Sequence, residues 1–367
     1  MTVSVINQAS KTRVLALSGG GLRGVISAAI LQHMEALGRQ RYGEDYRLGR
    51  AFDLIGGAST GAVIATALAL GIDTRRIAEF YLSDAPAVFR RRRFALPGVT
   101  SLFDASALGR HYEAATRNRR MIRSELETDL AVVVKDFVAG QPVLLTSLPV
   151  QDDTPAQCLG ARLVNRPVCL AAALRASTAA PGLFDPADLP IGEDGGPISC
   201  VDGGISAFND PSLLLWTVLT HPSFRHSRGG PIELTKVGTG TVPPPPAVVG
   251  RRPGAALFVA IKALRSMINE GERQTEAQMQ MIAGTRGSGL VYRTLDLVLE
   301  REALRRLGVD PTPDDLIRMR SISEPRAVQL LFRAATCYAE QTIFEAPPPR
   351  MPHVARVAEQ PIAARAA

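Results

Sequence analysis

The chain has few of the residues that mark disulfide-rich and metal-binding proteins. Only four cysteines occur in 367 residues, and they stand alone at Cys158, Cys169, Cys200 and Cys337, with no C-x-x-C spacing and no histidine close in sequence. This scarcity argues against a disulfide framework or a zinc site and predicts buried, reduced thiols. A calcium-loop pattern is absent as well, so we expect the protein to work without a metal or other cofactor.

Long apolar runs are missing too. No uncharged apolar stretch reaches the roughly 18 residues that a membrane-spanning helix needs. The opening residues, MTVSVINQASKTR, lack the charged start and apolar stretch of a secretory signal. We therefore expect a cytoplasmic protein that touches a membrane only from outside, as a peripheral protein.

The composition is that of a globular protein. Hydrophobic residues make up 46% and charged residues 21% of the chain, which is long enough for one large domain or two smaller ones. Lysine and arginine outnumber aspartate and glutamate by 42 to 35. This surplus suits an anionic partner such as acidic lipid or nucleic acid, but it serves solubility equally well.

One pattern occurs twice in the first third of the chain. A short apolar strand at 13–18 leads through glycines into a helix from Val25 to Leu37, and a second strand at 51–57 leads into an alanine-rich helix that starts near Ser59. Strand, glycine-rich turn and helix in succession are typical of a parallel α/β sheet. We therefore predict an α/β fold with three layers, α/β/α, around a mainly parallel central sheet.

The remaining pattern divides the chain into regions. We expect a long helix over about 106–127, a hairpin from 130–137 and 141–147, and short strands at 198–201 and 232–237. A run of four prolines at 243–246 indicates a stiff linker, beyond which the chain is mainly helical and includes an amphipathic helix over 254–284. The predicted organisation is an N-terminal tail (1–12), an α/β domain (13–240), a mainly helical C-terminal region packing on it (241–345) and a disordered tail (346–367).

The first chemical signal is the pentapeptide GASTG, residues 57–61. Gly57 and Gly61 permit a sharp turn between strand and helix that lifts Ser59 clear of the sheet, as in a nucleophile elbow. Small residues in a tight turn also match this pattern by chance, so a structural turn serine is the alternative.

The second signal is the glycine run SGGGLRG, residues 18–24. Consecutive glycines let backbone amides converge on one point, which an oxyanion requires. However, Gly19, Gly21 and Gly24 also fit the dinucleotide fingerprint G-x-G-x-x-G, with Glu44 and Asp45 about 20 residues on. The serine elbow, 38 residues after Gly21, favours the oxyanion interpretation, because a dinucleotide site has no use for it.

The third signal is Asp202-Gly203-Gly204, directly after a short apolar strand. An acid at the carboxyl end of a strand lies where α/β proteins bind their ligands. Aspartate followed by glycine is also ordinary turn chemistry, so this motif is weak when taken alone.

In this order, GGGLRG, GASTG and DGG resemble the motifs of the patatin-like phospholipases. Two further stretches agree, ALRASTAAPGLFDP at 173–186 and DGGISAFNDP at 202–211, and the similarity extends over about 13–240 to the run KVGTG at 236–240. The resemblance implies a patatin-like catalytic domain and the hydrolysis of carboxylic esters in membrane glycerolipids, as by a phospholipase A or lysophospholipase.

Carried over to this sequence, the resemblance implies a catalytic dyad of Ser59 and Asp202. The amides of Gly20 and Gly21 would be the oxyanion donors. The wider oxyanion region would consist of Gly19, Gly20, Gly21, Arg23, Gly24 and Thr60. One departure is visible, because Ser18 stands where the family usually has aspartate; we expect altered support of the loop rather than loss of activity.

A histidine-dependent triad is the competing mechanism. His221 and His226 follow Asp202, as the chain order of α/β-hydrolases demands, although their polar surroundings indicate a surface loop. His33 and His111 are placed on helices. An aspartate is a weak base in water, but a water-poor site raises its affinity for the proton, so the dyad needs no histidine.

Four consecutive arginines, Arg90, Arg91, Arg92 and Arg93, stand between apolar residues. Such a segment suits peripheral contact with anionic headgroups, whereas a solvated loop is the simpler interpretation. We expect a phospholipid or other glycerolipid as the partner and no nucleic acid, and the sequence does not indicate an oligomeric state. A dinucleotide-dependent oxidoreductase, an acyl-carrier transacylase and a catalytically silent lipid-binding protein stay open as alternatives.

Overall fold

The computed structural model describes residues 11–89, 92, 100–149, 157–192, 196–220, 230–243 and 256–350. Within the helix that covers 256–284, the side chains of 256–262, 264 and 265 are not described. Arg90, Arg91, Arg93, His221 and His226 therefore lie outside the described residues.

The strands of the described residues form one sheet. In chain order they are β1 (Thr12–Leu17), β2 (Leu54–Ala58), β3 (Asp129–Asp136), β4 (Pro142–Thr146), β5 (Gln157–Cys158), β6 (Ala161–Val164), β7 (Ala187–Leu189), β8 (Ile198–Asp202), β9 (Ile232–Val237) and β10 (Leu290–Leu295).

Helices surround this sheet and form most of the C-terminal region. They are α1 (Gly24–Tyr42), α2 (Thr60–Ala69), α3 (Thr74–Glu79), α4 (Ala85–Val88), α5 (Ala105–Thr116), α6 (Leu170–Ser177), α7 (Ser212–Thr220), α8 (Ala256–Gly284), α9 (Arg301–Arg306), α10 (Pro313–Met319) and α11 (Val328–Thr342). A π-helical turn, Phe80–Asp84, joins α3 to α4.

The sheet has a hydrophobic core on each face, because side chains alternate along each strand. Leu15 and Leu17 of β1 pack in the larger core with α1, α2 and α11. Val14 and Ala16 point the other way, into a second core that includes residues of α7 and Met279 of α8. The predicted α/β/α architecture is thereby confirmed.

The strand order is β10-β9-β1-β2-β3-β4-β6-β5. The five strands from β10 to β3 are parallel, whereas β4 and β8 run antiparallel to β3. The predicted hairpin is β3–β4. The sheet is therefore parallel in the half that carries β1 and β2 and mixed in the other half.

Strands β2 and β8 pair with the same side of β3, one after the other along it. They run in opposite directions, β2 parallel and β8 antiparallel to β3. Ala58, the last residue of β2, is opposite Val133 of β3, and Asp202, the last residue of β8, is opposite Val134. The other side of β3 is occupied by β4 at the same positions. The carboxyl ends of β2 and β8 therefore meet head to head at neighbouring positions of one strand.

Two predicted boundaries differ from the structure. The helix expected over 106–127 ends at Thr116, because Arg117 and Asn118 have left-handed backbone conformations. Beyond residue 240, in the segment expected to be mainly helical, β10 pairs with β9 over its full length and extends the sheet.

The chain after α11 lies against the amino-terminal edge of the sheet. The Tyr46 hydroxyl donates to the Pro347 carbonyl oxygen (2.7 Å), and the Arg350 guanidinium donates to the carbonyl oxygens of Arg50 (2.9 Å) and Glu127 (2.7 Å). Ordered chain thus extends into the beginning of the predicted tail. Across the part of the chain that is described, none of the helices combines the length and apolarity needed to cross a membrane.

Candidate active site

Ser59 occupies a sharp turn between β2 and α2. Its backbone angles, φ 53° and ψ −124°, lie in a region that residues with a side chain rarely adopt. A Cβ atom on Gly57 would lie 2.3 Å from the Gly61 carbonyl group, and one on Gly61 would lie 2.2 Å from the Leu17 carbonyl oxygen. The two glycines of the pentapeptide therefore let α2 start directly against the sheet, as the elbow interpretation requires.

The elbow is held by a serine that the sequence did not single out. The Ser59 amide donates to the Ser177 hydroxyl oxygen (2.9 Å), and that hydroxyl donates to the Val133 carbonyl oxygen (2.7 Å). Ser177 is the last residue of α6 and is fully buried. It ties the strained turn to the strand on which β2 and β8 meet.

The Ser59 and Asp202 side chains are in direct contact. The Ser59 hydroxyl donates to Oδ2 of Asp202 at 2.7 Å, while Oδ1 accepts the Gly204 amide at 2.6 Å. The Asp202 amide in turn donates to the Ala179 carbonyl oxygen at 3.0 Å. Both oxygens of the carboxylate are therefore held by hydrogen bonds, and one of these bonds comes from the serine hydroxyl.

Burial changes the acidity of this carboxyl group. Only 5% of Asp202 is exposed. Loss of hydration raises its pKa to about 7, against the hydrogen bonds from Ser59 and Gly204, which lower it. A carboxylate with such a pKa holds a proton far more readily than an aspartate in water, so it can accept one from a hydroxyl group.

The glycine run packs closely against its surroundings, beside Ser59. A Cβ atom on Gly19 would lie 2.2 Å from Oδ1 of Asn209, and one on Gly20 would lie 2.2 Å from Oγ1 of Thr239. The Gly19 amide donates to the Asn209 carbonyl oxygen (3.2 Å), and the Thr239 hydroxyl donates to the Gly19 carbonyl oxygen (2.7 Å). Gly21 has φ 58° and would clash with the Ile322 carbonyl oxygen if it carried a side chain.

The amides of the run differ in whether the described residues offer them an acceptor. Those of Gly19, Leu22 and Arg23 donate to carbonyl oxygens. Over the described part of the chain, no such acceptor is found for the amides of Gly20 and Gly21. Both glycines line the cavity that contains Ser59, as does Thr60, whose amide begins α2.

Gly24, Thr60 and Arg23 lie next to this loop. Gly24 has no room for a side chain, because a Cβ atom would lie 2.4 Å from Oγ1 of Thr60 and 2.9 Å from the Tyr81 ring. The Tyr81 hydroxyl is hydrogen-bonded to Oγ1 of Thr60 and also donates to the Thr60 carbonyl oxygen (3.3 Å). Arg23 is buried near the carboxyl groups of Glu272 and Asp296.

Ser18, which departs from the family pattern, is 1% exposed. Its hydroxyl has no hydrogen-bond partner within the described residues. The hydroxyl therefore adds no polar support to the glycine run, and the backbone carries this position through the bond from the Ser18 amide to the Val237 carbonyl oxygen (3.2 Å).

A buried charged cluster behind Asn209 was not predicted. The Asn209 side-chain amide donates to Oε1 of Glu272 on α8 (2.5 Å). Burial raises the pKa of Glu272 to about 7, while the neighbouring Lys236 lowers it. The Lys236 ammonium lies 3.4 Å from Asp210 and 3.1 Å from Glu276. The cluster connects α8, and so the C-terminal region, to the residues that follow Asp202.

The cavity above Ser59 has a volume of about 330 Å³. Its polar lining comes from the glycine run, Asn209, Asn269, Glu272 and Arg320, and apolar residues such as Leu22, Ile268 and Ile322 stand beside these in the sequence. The rest of the wall is mainly apolar and comes from α2, the segment from Phe80 to Phe89, α5 and the turn after α6. Ser59 and Asp202 thus lie in a pocket whose wall is mixed near the glycine run and mainly apolar along α2, α5 and the segment from Phe80 to Phe89.

The two histidines among the described residues make other contacts. His33 is bonded through Nε2 to the Ile343 carbonyl oxygen (3.0 Å), and the His111 ring packs edge-on against Phe80. Neither is among the described hydrogen-bond partners of Ser59 or Asp202, while His221 and His226 lie outside the described residues. Of the four arginines, Arg92 is described, and it forms ion pairs with Asp185 (3.1 Å) and Asp104 (4.0 Å).

Comparison with known proteins identifies the family. Residues 15–215, more than half of the chain, match the model of the family described as patatin-like phospholipase. The chain therefore belongs to the patatin-like phospholipase family, and the resemblance seen in its motifs is confirmed.

Plant proteins are among its curated relatives. Patatin-like protein 4 of Arabidopsis thaliana is 28% identical over 223 residues, which cover 57% of this chain and 52% of that protein. Patatin group M-3 of Solanum tuberosum is 27% identical over 247 residues, covering 62% and 60% respectively. The chain thus spans between half and three fifths of the length of these relatives. Among solved structures, VipD from Legionella pneumophila matches 89% of this chain and 67% of its own, with 15% identity and a TM-score of 0.32.

Proposed function

We propose that the protein is a serine lipid acyl hydrolase, of the phospholipase A or lysophospholipase type, with Ser59 as nucleophile and Asp202 as general base. The hydrogen bond from the Ser59 hydroxyl to Oδ2 of Asp202, formed on a strained strand-to-helix turn, carries this proposal. A nucleophile and a base need this contact before any other feature matters.

In the proposed reaction, Asp202 takes the proton of the Ser59 hydroxyl as the oxygen attacks the acyl carbonyl carbon. The resulting oxyanion would accept hydrogen bonds from the amides of Gly20, Gly21 and Thr60. Each such donor typically stabilises the transition state by about 2.7–4 kcal/mol. Asp202 then returns its proton to the leaving alcohol oxygen as the ester bond breaks, which leaves an acyl-enzyme. Water gives a proton to Asp202, attacks the acyl carbon and releases the carboxylic acid, and Ser59 recovers its proton.

The raised pKa of Asp202 supports its role as base. A carboxylate at the pKa of aspartate in water would return the proton to the serine too readily to assist the attack. With a pKa of about 7, Asp202 is ionised above neutral pH yet binds the proton more tightly. The absence of a histidine among the described partners of either residue is consistent with a dyad.

A lipid ester is favoured over a small polar ester by the apolar part of the cavity wall and by the family. Phospholipid or another glycerolipid is the proposed substrate. Peripheral membrane contact through Arg90, Arg91, Arg92 and Arg93, and a cytoplasmic location, stay proposals; the ion pairs of Arg92 with carboxylates reduce what this residue can offer to a headgroup.

The geometry disfavours dinucleotide binding by the glycine run. A ribose-binding acid must lie at the same edge of the sheet as the glycine loop. Here α1 has 19 residues and is about 28 Å long, so Glu44 and Asp45, which follow its far end, lie away from the loop. The carboxyl end of β2, where that acid would be expected, carries Ser59 instead.

Release of fatty acid from phospholipid vesicles in the presence of EDTA tests the proposal. We expect Ser59→Ala to reduce the rate at least about 10³-fold, because the nucleophile is lost. Ser106→Ala, which changes an exposed serine at the start of α5, is the matched control and should leave the rate unchanged. A fluorophosphonate probe should label the wild type and not Ser59→Ala; equal rates in the two proteins would refute the central claim.

A further inference from the structure

Three phenylalanine rings pack together at the apolar part of the cavity wall. The ring centroids of Phe89 and Phe103 are 5.1 Å apart, those of Phe89 and Phe184 are 5.7 Å apart, and those of Phe103 and Phe184 are 5.8 Å apart. Phe89 and Phe184 line the cavity, whereas Phe103 does not. The group is therefore a wall two rings deep, with Phe103 as its outer layer.

Backbone hydrogen bonds hold this wall in place. The Leu102 amide donates to the Gly182 carbonyl oxygen (3.1 Å), and the Phe103 amide donates to the Leu183 carbonyl oxygen (2.9 Å). The Phe184 amide donates to the Ala180 carbonyl oxygen (2.9 Å). Because the segments carrying Phe103 and Phe184 are bonded to each other and both rings are buried, a backbone movement that withdrew these two rings from the cavity would break several of these bonds.

The remaining apolar lining offers a ligand no hydrogen bonds. Val63, Val88, Leu108 and Leu183 contribute only hydrocarbon. The two tyrosines have hydroxyl groups that are already bonded, Tyr81 to Thr60 and Tyr112 to Thr178 (3.3 Å). A methylene chain meets these requirements, whereas a polar headgroup would lose its hydration without compensation.

We propose that this part of the cavity binds the acyl chain of the substrate and that Phe89 and Phe184, supported by Phe103, set the longest chain that fits. The inference rests on the proposed function, which places the scissile carbonyl at Ser59. A cavity of about 330 Å³ is at the lower end of ligand pockets, which suits one acyl chain rather than two. A chain that reached the wall could extend further only by displacing packed rings.

The test compares variants of Phe184 on p-nitrophenyl esters from butyrate to palmitate. Phe184→Leu and Phe184→Ala should shift the optimum towards longer chains, and the shift should be larger for the alanine variant. The ratio of kcat/KM for palmitate to kcat/KM for octanoate should rise at least about tenfold, because each methylene in an apolar pocket changes kcat/KM by about 10-fold or more. Phe184→Trp should shift the optimum towards shorter chains. An unchanged length profile in folded Phe184→Leu and Phe184→Ala proteins would overturn the inference.

A matched control and a second readout separate this inference from the proposed function. Phe52→Leu alters an equally buried phenylalanine that does not line the cavity, and it should leave the length profile unchanged. Displacement of a fluorescent fatty acid by saturated fatty acids of graded length measures the pocket without catalysis. If the wild type hydrolyses no ester, the proposed function fails. A limit on the length of bound fatty acids that changes with substitution of Phe184 would still support the role of the wall, and a limit that does not change would refute that role.

Discussion

The two strand-to-helix turns of the site are built from the same residue type but are held in different ways. At the elbow, the atoms that exclude a side chain from Gly57 and Gly61 belong to the backbone of α2 and β1. In the glycine run, the atoms that exclude one from Gly19 and Gly20 belong to the side chains of Asn209 and Thr239. The elbow is thus fixed by the fold itself, and much of the glycine run by neighbouring side chains.

This difference indicates how each turn can vary. A backbone obstacle cannot be removed by substitution, so the elbow tolerates no change at its glycines. A side-chain obstacle can be exchanged for another, so the glycine run can be adjusted through residues that are distant in sequence. Ser18, which differs from the family pattern, lies in the adjustable turn.

The largest expected effect is that of Gly61→Ala. The new Cβ atom would lie 2.2 Å from the Leu17 carbonyl oxygen, so α2 must separate from the sheet. We expect a loss of at least about 4 kcal/mol in the free energy of unfolding, or no folded protein. Urea denaturation of Gly61→Ala and of Gly109→Ala measures this; Gly109 has open space around it, and its alanine variant should be as stable as the wild type or slightly more so.

The same change at Gly20 provides the contrast between the turns. Its Cβ atom would lie 2.2 Å from Oγ1 and 2.7 Å from Cβ of Thr239. Oγ1 can rotate away, whereas Cβ moves only with the Thr239 backbone, so we expect Gly20→Ala to cost about 2 kcal/mol in the free energy of unfolding, less than Gly61→Ala. The rate should fall by more than this loss of stability explains. Equal losses at Gly20 and Gly61 would contradict the distinction between backbone and side-chain obstacles.

Asp202→Asn should stabilise the protein while abolishing its activity. The buried carboxyl group has a pKa of about 7 in the folded chain and 3.8 as its ordinary value, so the folded state binds the proton more tightly. Wild-type stability therefore falls, relative to the asparagine variant, as pH rises from about 4 to about 7, and the gap stays constant above. We expect a gap of about 2–4 kcal/mol at pH 8 and none at pH 3.5.

Thermal unfolding of both proteins across this range measures the gap. The pH–rate profile of the wild type should rise through an inflection near 7, because only the ionised carboxylate can accept a proton. A gap that is the same at pH 3.5 and pH 8 would show that Asp202 is not an unusually weak acid.

Ser177→Ala should have a smaller effect on stability and a specific one on catalysis. The change leaves the Ser59 amide and the Val133 carbonyl oxygen without their shared partner, at a cost of about 1–2 kcal/mol. We expect kcat to fall about tenfold with KM unchanged, since the elbow loses its tether. Ser27→Ala, which removes one bond to the Gly238 carbonyl oxygen near the other turn, should cost about 1 kcal/mol and leave kcat within about twofold.

The smallest expected effect is that of Ser18→Ala. The hydroxyl is buried and has no partner within the described residues, so its removal should leave stability unchanged or raise it by about 1 kcal/mol. Activity should stay within about twofold of the wild type. A loss above 2 kcal/mol in chemical denaturation would mean that this hydroxyl supports the glycine run after all.

Local features of the site could be predicted from the sequence because they depend on a few adjacent residues. The elbow needs only Gly57, Ser59 and Gly61 between a strand and a helix, and the structure forms it there. The contact between Ser59 and Asp202 was different, since it joins positions 143 residues apart. Only resemblance to a family suggested it, because no local pattern encodes such a pairing.

The remaining features depend on tertiary packing. The apolar pattern of strand β8 suits a parallel and an antiparallel neighbour equally well, so its antiparallel pairing with β3 could not be predicted from the sequence. In β10 the exposed Val291 and Arg293 flank the partly buried Tyr292, and this edge strand lacks the apolar alternation that identifies a strand. Ser177 and Glu272 resemble ordinary helix residues, and only the folded chain brings them to Ser59 and Asn209.

The meeting of β2 and β8 on consecutive residues of β3 has a consequence for control of the site. Backbone pairing, and not a movable loop, sets the separation of Ser59 and Asp202, and a slip of β8 by one residue would turn Asp202 to the other face of the sheet. Separating the two backbones would therefore require strand pairing with β3 to break. We expect regulation to act instead on parts of the cavity wall that can move without breaking the sheet, such as α8 and the glycine run.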